Sequence, residues 1–242
     1  MKIFIVILIL LLIISAFYIV PIVNSVVTSK KIISQTVPFS QINKDAELKI
    51  LVAGDSTAFG TGAENPNDSI AGRFAIDYPE SEIINLSKSG LKTEGLLERL
   101  EIHLENKTYD YIHIQIGAND IVSFTNYESL EKDLISILDL VSEKSDNVTI
   151  LTAADVGDVK VFKYPISKYL SIRTKVIRDI FINSISKYEN IEYIDLYSNK
   201  EMIKKFKEDP EKYYAEDMFH PNGLAYGLWY DAIKEKFKTV SK

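Results

Sequence analysis

Four short segments bring a hydroxyl, backbone N–H groups, a side-chain amide and an acid-imidazole pair into the chain. Gly54-Asp55-Ser56-Thr57 sets a serine beside a glycine, directly after the apolar run at 48–53. A hydroxyl there is placed like a nucleophile, and it equally suits a helix N-cap. It is not the Gly-x-Ser-x-Gly elbow, because Ala58 stands where the second glycine belongs. No Gly-Lys-Ser/Thr follows to make a phosphate loop, and Gly60-Thr61-Gly62 lacks the third glycine of a dinucleotide loop, Asn65 holding that place. Ser89-Gly90 precedes a helical stretch, so Gly90 offers either a turn or an unobstructed backbone N–H. Gly117-Ala118-Asn119-Asp120 presents a side-chain amide, which either caps a helix or donates to developing oxygen charge. In Asp217-Met218-Phe219-His220 the acid stands three residues before the imidazole, close enough to orient it across one turn.

The other two histidines lack such company. His103 falls on a charged helical stretch and His113 inside a strand, so both read as structural. There is no cysteine, which excludes a thiolate nucleophile, a disulfide framework and a Cys zinc site. With three histidines in all, no metal site is expected. Formal net charge is −6, while residues 1–44 hold four lysines and no acid. The remainder is therefore more acidic still, a poor surface for nucleic acid or for anionic lipid through charge.

Each segment needs an element to position it, and the hydrophobic pattern supplies one. Short apolar runs at 48–53, 82–86, 111–116, 148–151 and 191–196 read as strands. Helical spacing marks 91–104, 130–141, 167–188 and 224–237. Such alternation predicts an α/β/α three-layer fold with a five-stranded, mostly parallel sheet. Ligands in these folds bind beyond the carboxyl ends of the strands, which is where the four segments fall. Residues 155–169, after the fourth strand, are either a substrate wall or an ordinary long loop. Phe59, Tyr213, Tyr214 and Trp229 fit either a pocket or the core.

Ahead of this body, residues 3–20 form an uncharged run of ~27 Å as a helix, close to a bilayer's hydrocarbon thickness. The expected organisation is a transmembrane signal anchor at 1–23, a polar linker at 24–46 and a catalytic domain at 47–242. Lys2 before the run favours a single-pass protein of the cell membrane with the domain on the extracytoplasmic side. The alternative is a signal peptide cleaved after Ser25, leaving a secreted protein.

Gly-Asp-Ser, Ser-Gly, Gly-x-Asn-Asp and Asp-x-x-His, in this order and over residues 48–237, resemble the GDSL or SGNH hydrolase family. The family's four namesake residues map onto Ser56, Gly90, Asn119 and His220. One departure is Thr57, where the founding pattern has leucine. The resemblance implies a serine esterase with Ser56 as nucleophile, His220 as general base and Asp217 as its orienting acid. It implies an oxyanion hole made by Ser56 and Gly90 N–H and the Asn119 amide, with no metal or organic cofactor. Asp55 and Asp120 then brace loops. The substrate would be a small-molecule, lipid or glycan ester. A silent surface domain binding a glycan or protein, and an acyltransferase of the same fold, are the other readings.

Overall fold

The computed structural model describes residues 2–237, apart from the side chains of residues 2, 3, 6 and 8–13. Five strands form one sheet: β1 (Lys49–Gly54), β2 (Glu82–Asn85), β3 (Tyr111–Gln115), β4 (Val148–Leu151) and β5 (Ile191–Ile194). All four pairings are parallel and the order is β2-β1-β3-β4-β5. The helices are α1 (Lys2–Gln35), α2 (Ser56–Phe59), α3 (Ile70–Asp77), α4 (Thr93–Leu104), α5 (Ala118–Val122), α6 (Tyr127–Ser142), α7 (Ile166–Ile185), α8 (Lys200–Glu208), α9 (Pro210–Tyr213) and α10 (Gly223–Phe237).

Strand periodicity divides the core in two. Leu51, Ala53, Ile112, Ile114 and Ile150 face one side, where Leu100, Leu134 and Ile177 of α4, α6 and α7 cover them. Ile50, Val52, Tyr111 and Leu151 face the other, under Phe74 of α3 and Ile233 of α10. Burial on both faces is why β1 and β4 read as near-continuous apolar runs, whereas edge strand β5 leaves Glu192 exposed. The order 2-1-3-4-5 reverses between β1 and β3, which opens a crevice at their carboxyl ends.

Two helices of eight residues or more were not marked by the periodicity, nor were the one-turn helices α2, α5 and α9. Helix α3 is short, and Gly72 lets it pack against the Asn67 backbone, where an added Cβ would come within 2.4 Å. Helix α8 is dominated by Lys and Glu and buries only Met202. The segment 24–46, expected as a linker, is helical as far as Gln35. Its seat on the body is the reason: Ser25 is buried, and Lys31 reaches Glu216. The remainder is strapped down, with Gln41 bridging Ile83 and donating to the carbonyls of Pro79 and Ser81. Among the described residues, one helix is long and apolar enough to cross a membrane, over Ile14–Gln35. Residue 1 and residues 238–242 of the expected units lie outside the described ones.

Candidate active site

Gly54 ends β1 at a close crossing with β3. Its φ is +143°, and a Cβ would stand 1.9 Å from the Gln115 carbonyl oxygen, so only glycine fits. The chain then turns through Asp55, which caps α2 by accepting from Thr57 N–H and Oγ1–H. Ser56 is thereby the first residue of α2, and its N–H belongs to the amides a helix leaves without an internal partner.

Across the crevice, a tight turn with Met218 at φ +55° folds His220 back on Asp217. Asp217 Oδ1 accepts from the N–H groups of Phe219 (3.0 Å) and His220 (2.9 Å). Asp217 Oδ2 lies 2.6 Å from His220 Nδ1. His220 Nε2 in turn lies 2.9 Å from Ser56 Oγ. The result is an unbroken chain from hydroxyl through imidazole to carboxylate, and all three residues are buried. Burial alone would raise the Asp217 carboxyl. The hydrogen bond and charge of His220, then the Ser29 hydroxyl and the His220 amide, hold it down at about 2. It is thus a carboxylate in the neutral range, able to receive Nδ1–H and leave Nε2 free to take the serine proton.

Asn119, on α5, shares a pocket with Ser56 and His220. One N–H of its amide donates to the Leu91 carbonyl (3.0 Å), which aims the group and leaves the second N–H free. Gly90 occupies an exposed turn after β2 at φ +83°, at the same end of the sheet but not in the pocket wall. Ser56, Asn119, Asp217 and His220 are therefore brought together, while Gly90 stands at the rim.

The two bracing acids do different work. Asp120 is buried and accepts from Thr93 N–H and Oγ1–H, tying α5 to the start of α4; burial raises its carboxyl. Burial likewise pushes Asp55 up to about 6, against the opposing hydrogen bonds of Thr57. Of the remaining histidines, His113 bonds Thr149 Oγ1 and burial pushes it down to about 3, while His103 bonds the Tyr109 hydroxyl. Neither touches the pocket.

The pocket walls beyond the serine are mostly apolar. Val156 and Val159 come from the segment after β4, Met202, Ile203 and Phe206 from α8, and Trp229 from α10. Tyr214 also lines it, whereas Phe59 and Tyr213 do not. Sequence reasoning missed α8 altogether. It also missed Arg173, buried on α7, which donates to the carbonyls of Asp120, Ile121 and Thr125 and so holds the Asn119 loop. A visible signal existed: Arg173 is the one charge on the otherwise uncharged buried face of Leu170, Thr174 and Ile177. Among the described residues, no cluster of His, Asp and Glu could hold a metal ion.

The profile of the GDSL-like Lipase/Acylhydrolase family matches residues 52–228, most of the chain. Similar solved structures include a lipolytic protein of the G-D-S-L family from Veillonella parvula, with 18% identity and TM-score 0.63, covering 79% of this chain and 98% of that one. Another is Axe2, an acetylxylan esterase from Geobacillus stearothermophilus, with 18% identity and TM-score 0.56, covering 81% and 96%. The psychrotrophic esterase EstA from Pseudoalteromonas sp., in a structure inhibited by monoethylphosphonate, shows 16% identity and TM-score 0.56, covering 80% and 98%. At these identities the likeness is one of fold. No curated protein matches the chain.

Proposed function

The chain belongs to the GDSL-like lipase/acylhydrolase family and is an ester-cleaving hydrolase, and we propose that it works through an acyl-enzyme on Ser56. The observation that carries this reading is the continuous Ser56–His220–Asp217 chain, at 2.9 Å and 2.6 Å. Ser56 Oγ attacks the ester carbonyl as His220 Nε2 takes its proton. Asp217 holds the imidazole in the required tautomer and stabilises its cation. The oxygen that gains charge is met by Ser56 N–H, Gly90 N–H and the free N–H of Asn119. His220 then passes its proton to the leaving alkoxide, and the alcohol departs. Water, deprotonated by the same imidazole, releases the acid and restores Ser56.

The apolar walls favour an acyl chain longer than acetyl, since Met202, Ile203, Phe206 and Trp229 exceed what a methyl group can contact. The pocket wall also leads toward α1. Beyond Val159 the same segment reaches Lys163, which sits 3.5 Å over the Phe17 ring, and Tyr164, whose carbonyl accepts from Tyr18 O–H. With residues 3–20 in a bilayer, this seat holds the pocket close to the membrane, on the extracytoplasmic side given Lys2. A lipid-type ester is then the favoured substrate over an acetylated glycan.

The test uses the full chain in detergent micelles with p-nitrophenyl acetate, butyrate and octanoate. Turnover should be lost by ~10⁴-fold in Ser56→Ala and nearly as much in His220→Ala. Octanoate or butyrate should be preferred to acetate. Wild-type turnover by Ser56→Ala would overturn the nucleophile assignment, and a preference for acetate would favour the glycan reading.

A further inference from the structure

We infer that the N-terminal helix is a working part of the active site, with Ser29 as a positioning residue for Asp217. This rests on the Ser56–His220–Asp217 reading above. Ser29 Oγ donates to Asp217 Oδ2 at 2.7 Å, the oxygen that also faces His220 Nδ1. Ser25 Oγ donates to the backbone carbonyl of the same aspartate at 2.8 Å. Ser25 and Ser29 are four residues apart, so one face of α1 presents both hydroxyls. Tyr18, seven residues before Ser25, extends that stripe through its bond to the Tyr164 carbonyl.

The need for such a contact follows from the turn itself. The Asp217 side chain is fully buried, 0% exposed, so water does not fill its lone pairs. Its carboxylate has donors from Phe219 N–H, His220 N–H and His220 Nδ1–H, all within the turn, and one from outside it, Ser29. A buried carboxylate left short of a donor either rotates to find one or admits water. Either response moves Oδ2 relative to Nδ1 and so loosens the imidazole that must face Ser56 Oγ. Ser29 pins that oxygen from the far side. The helix that reaches the membrane is thereby coupled to the chemistry, and a body separated from α1 works more slowly.

The experiment compares full-length wild type, Ser29→Ala, Ser29→Thr, Ser34→Ala and Ser56→Ala in detergent micelles. Ser34 serves as the control on the same helix, because its hydroxyl bonds only the Lys31 carbonyl. Measured are kcat and KM for p-nitrophenyl butyrate, the labelling rate by a fluorophosphonate, and Tm. Ser29→Ala should lower kcat and the labelling rate by about tenfold, charge-assisted hydrogen bonds being among the stronger ones. KM should stay within about twofold, since Ser29 does not line the pocket. Ser29→Thr, which keeps the hydroxyl, should recover most of the loss, and Ser34→Ala should match wild type. Should Ser29→Ala not fold, Ser29→Cys, a weaker donor of similar size, carries the same expectation. Wild-type kcat in a folded Ser29 variant, with Ser56→Ala inactive, overturns the inference and leaves the triad standing. Activity in Ser56→Ala instead removes the triad reading beneath it.

Discussion

Gly54→Ala should damage catalysis without touching a catalytic group. The new Cβ would stand 1.9 Å from the Gln115 carbonyl oxygen, whereas real Cβ contacts stay beyond 3.0 Å. Relief requires a shift of about 1.1 Å between β1 and β3 at this position. The crossing has little freedom. Asp55 N–H donates to that same carbonyl at 2.9 Å, and Lys88 N–H donates to the Gly54 carbonyl at 3.0 Å. A φ of +143° adds strain that alanine rarely tolerates. Ser56 is two residues further on, and its 2.9 Å contact with His220 Nε2 does not survive a displacement of that size. Misplacing a reacting group by ~1 Å costs roughly 10² in rate. We therefore expect kcat for p-nitrophenyl butyrate to fall ~100-fold, together with a lower Tm by calorimetry. Gly90→Ala is the matched comparison, because no atom lies within 4 Å of its added Cβ and only the φ of +83° opposes it. Its cost in stability should be only about 1–2 kcal/mol of left-handed backbone strain, with a correspondingly smaller drop in Tm. A Gly54→Ala protein with wild-type kcat and Tm would refute the claim that this crossing positions the serine.

The other expectations concern the oxyanion, the acids and the pocket. Asn119→Ala should lower kcat by ~10²–10³ with little change in KM; a loss confined to KM would remove the amide from the oxyanion site. Asp55 carries a sign that can be worked out: its folded value of about 6 lies above the usual ~3.9, so its contribution to stability is complete at low pH and is lost as pH rises through about 6. Between pH 5 and 7.5 the loss amounts to about 1.4 kcal/mol. Asp55→Asn keeps the cap and should show that much less change across the interval in urea denaturation, an unchanged pH slope counting against a buried, titrating Asp55. Ile203→Trp, filling the apolar end of the pocket, should shift preference from octanoate toward acetate by an order of magnitude in kcat/KM; an unaltered ratio would place the acyl chain elsewhere.

Much of the architecture was legible because its signals are local. All five strands fall where the apolar runs place them, because each keeps at least two Val, Ile or Leu side chains against the core, although edge strand β5 leaves Glu192 exposed. Ser56, Asn119, Asp217 and His220 were legible for a related reason. Ser56 and Asn119 sit in the short helices that follow β1 and β3, and Asp217 and His220 stand three positions apart in one turn, so their place along the chain nearly states their place in space. Helix α3 escaped because eight residues around Gly72 carry too little period, and α8 because its Lys and Glu mask a single buried Met202.

Legible without coordinates are the sheet, the candidate segments beyond its carboxyl ends and the chemistry their side chains are capable of. Only the tertiary structure decided what surrounds that chemistry: the apolar wall from α8 and α10, the grip of Arg173 on the Asn119 loop, and the seat of α1 against Asp217. Ser29 and Asp217 are 188 residues apart. A contact of that kind depends on two surfaces meeting once the sheet has formed, and no period, cap or turn at either end encodes it.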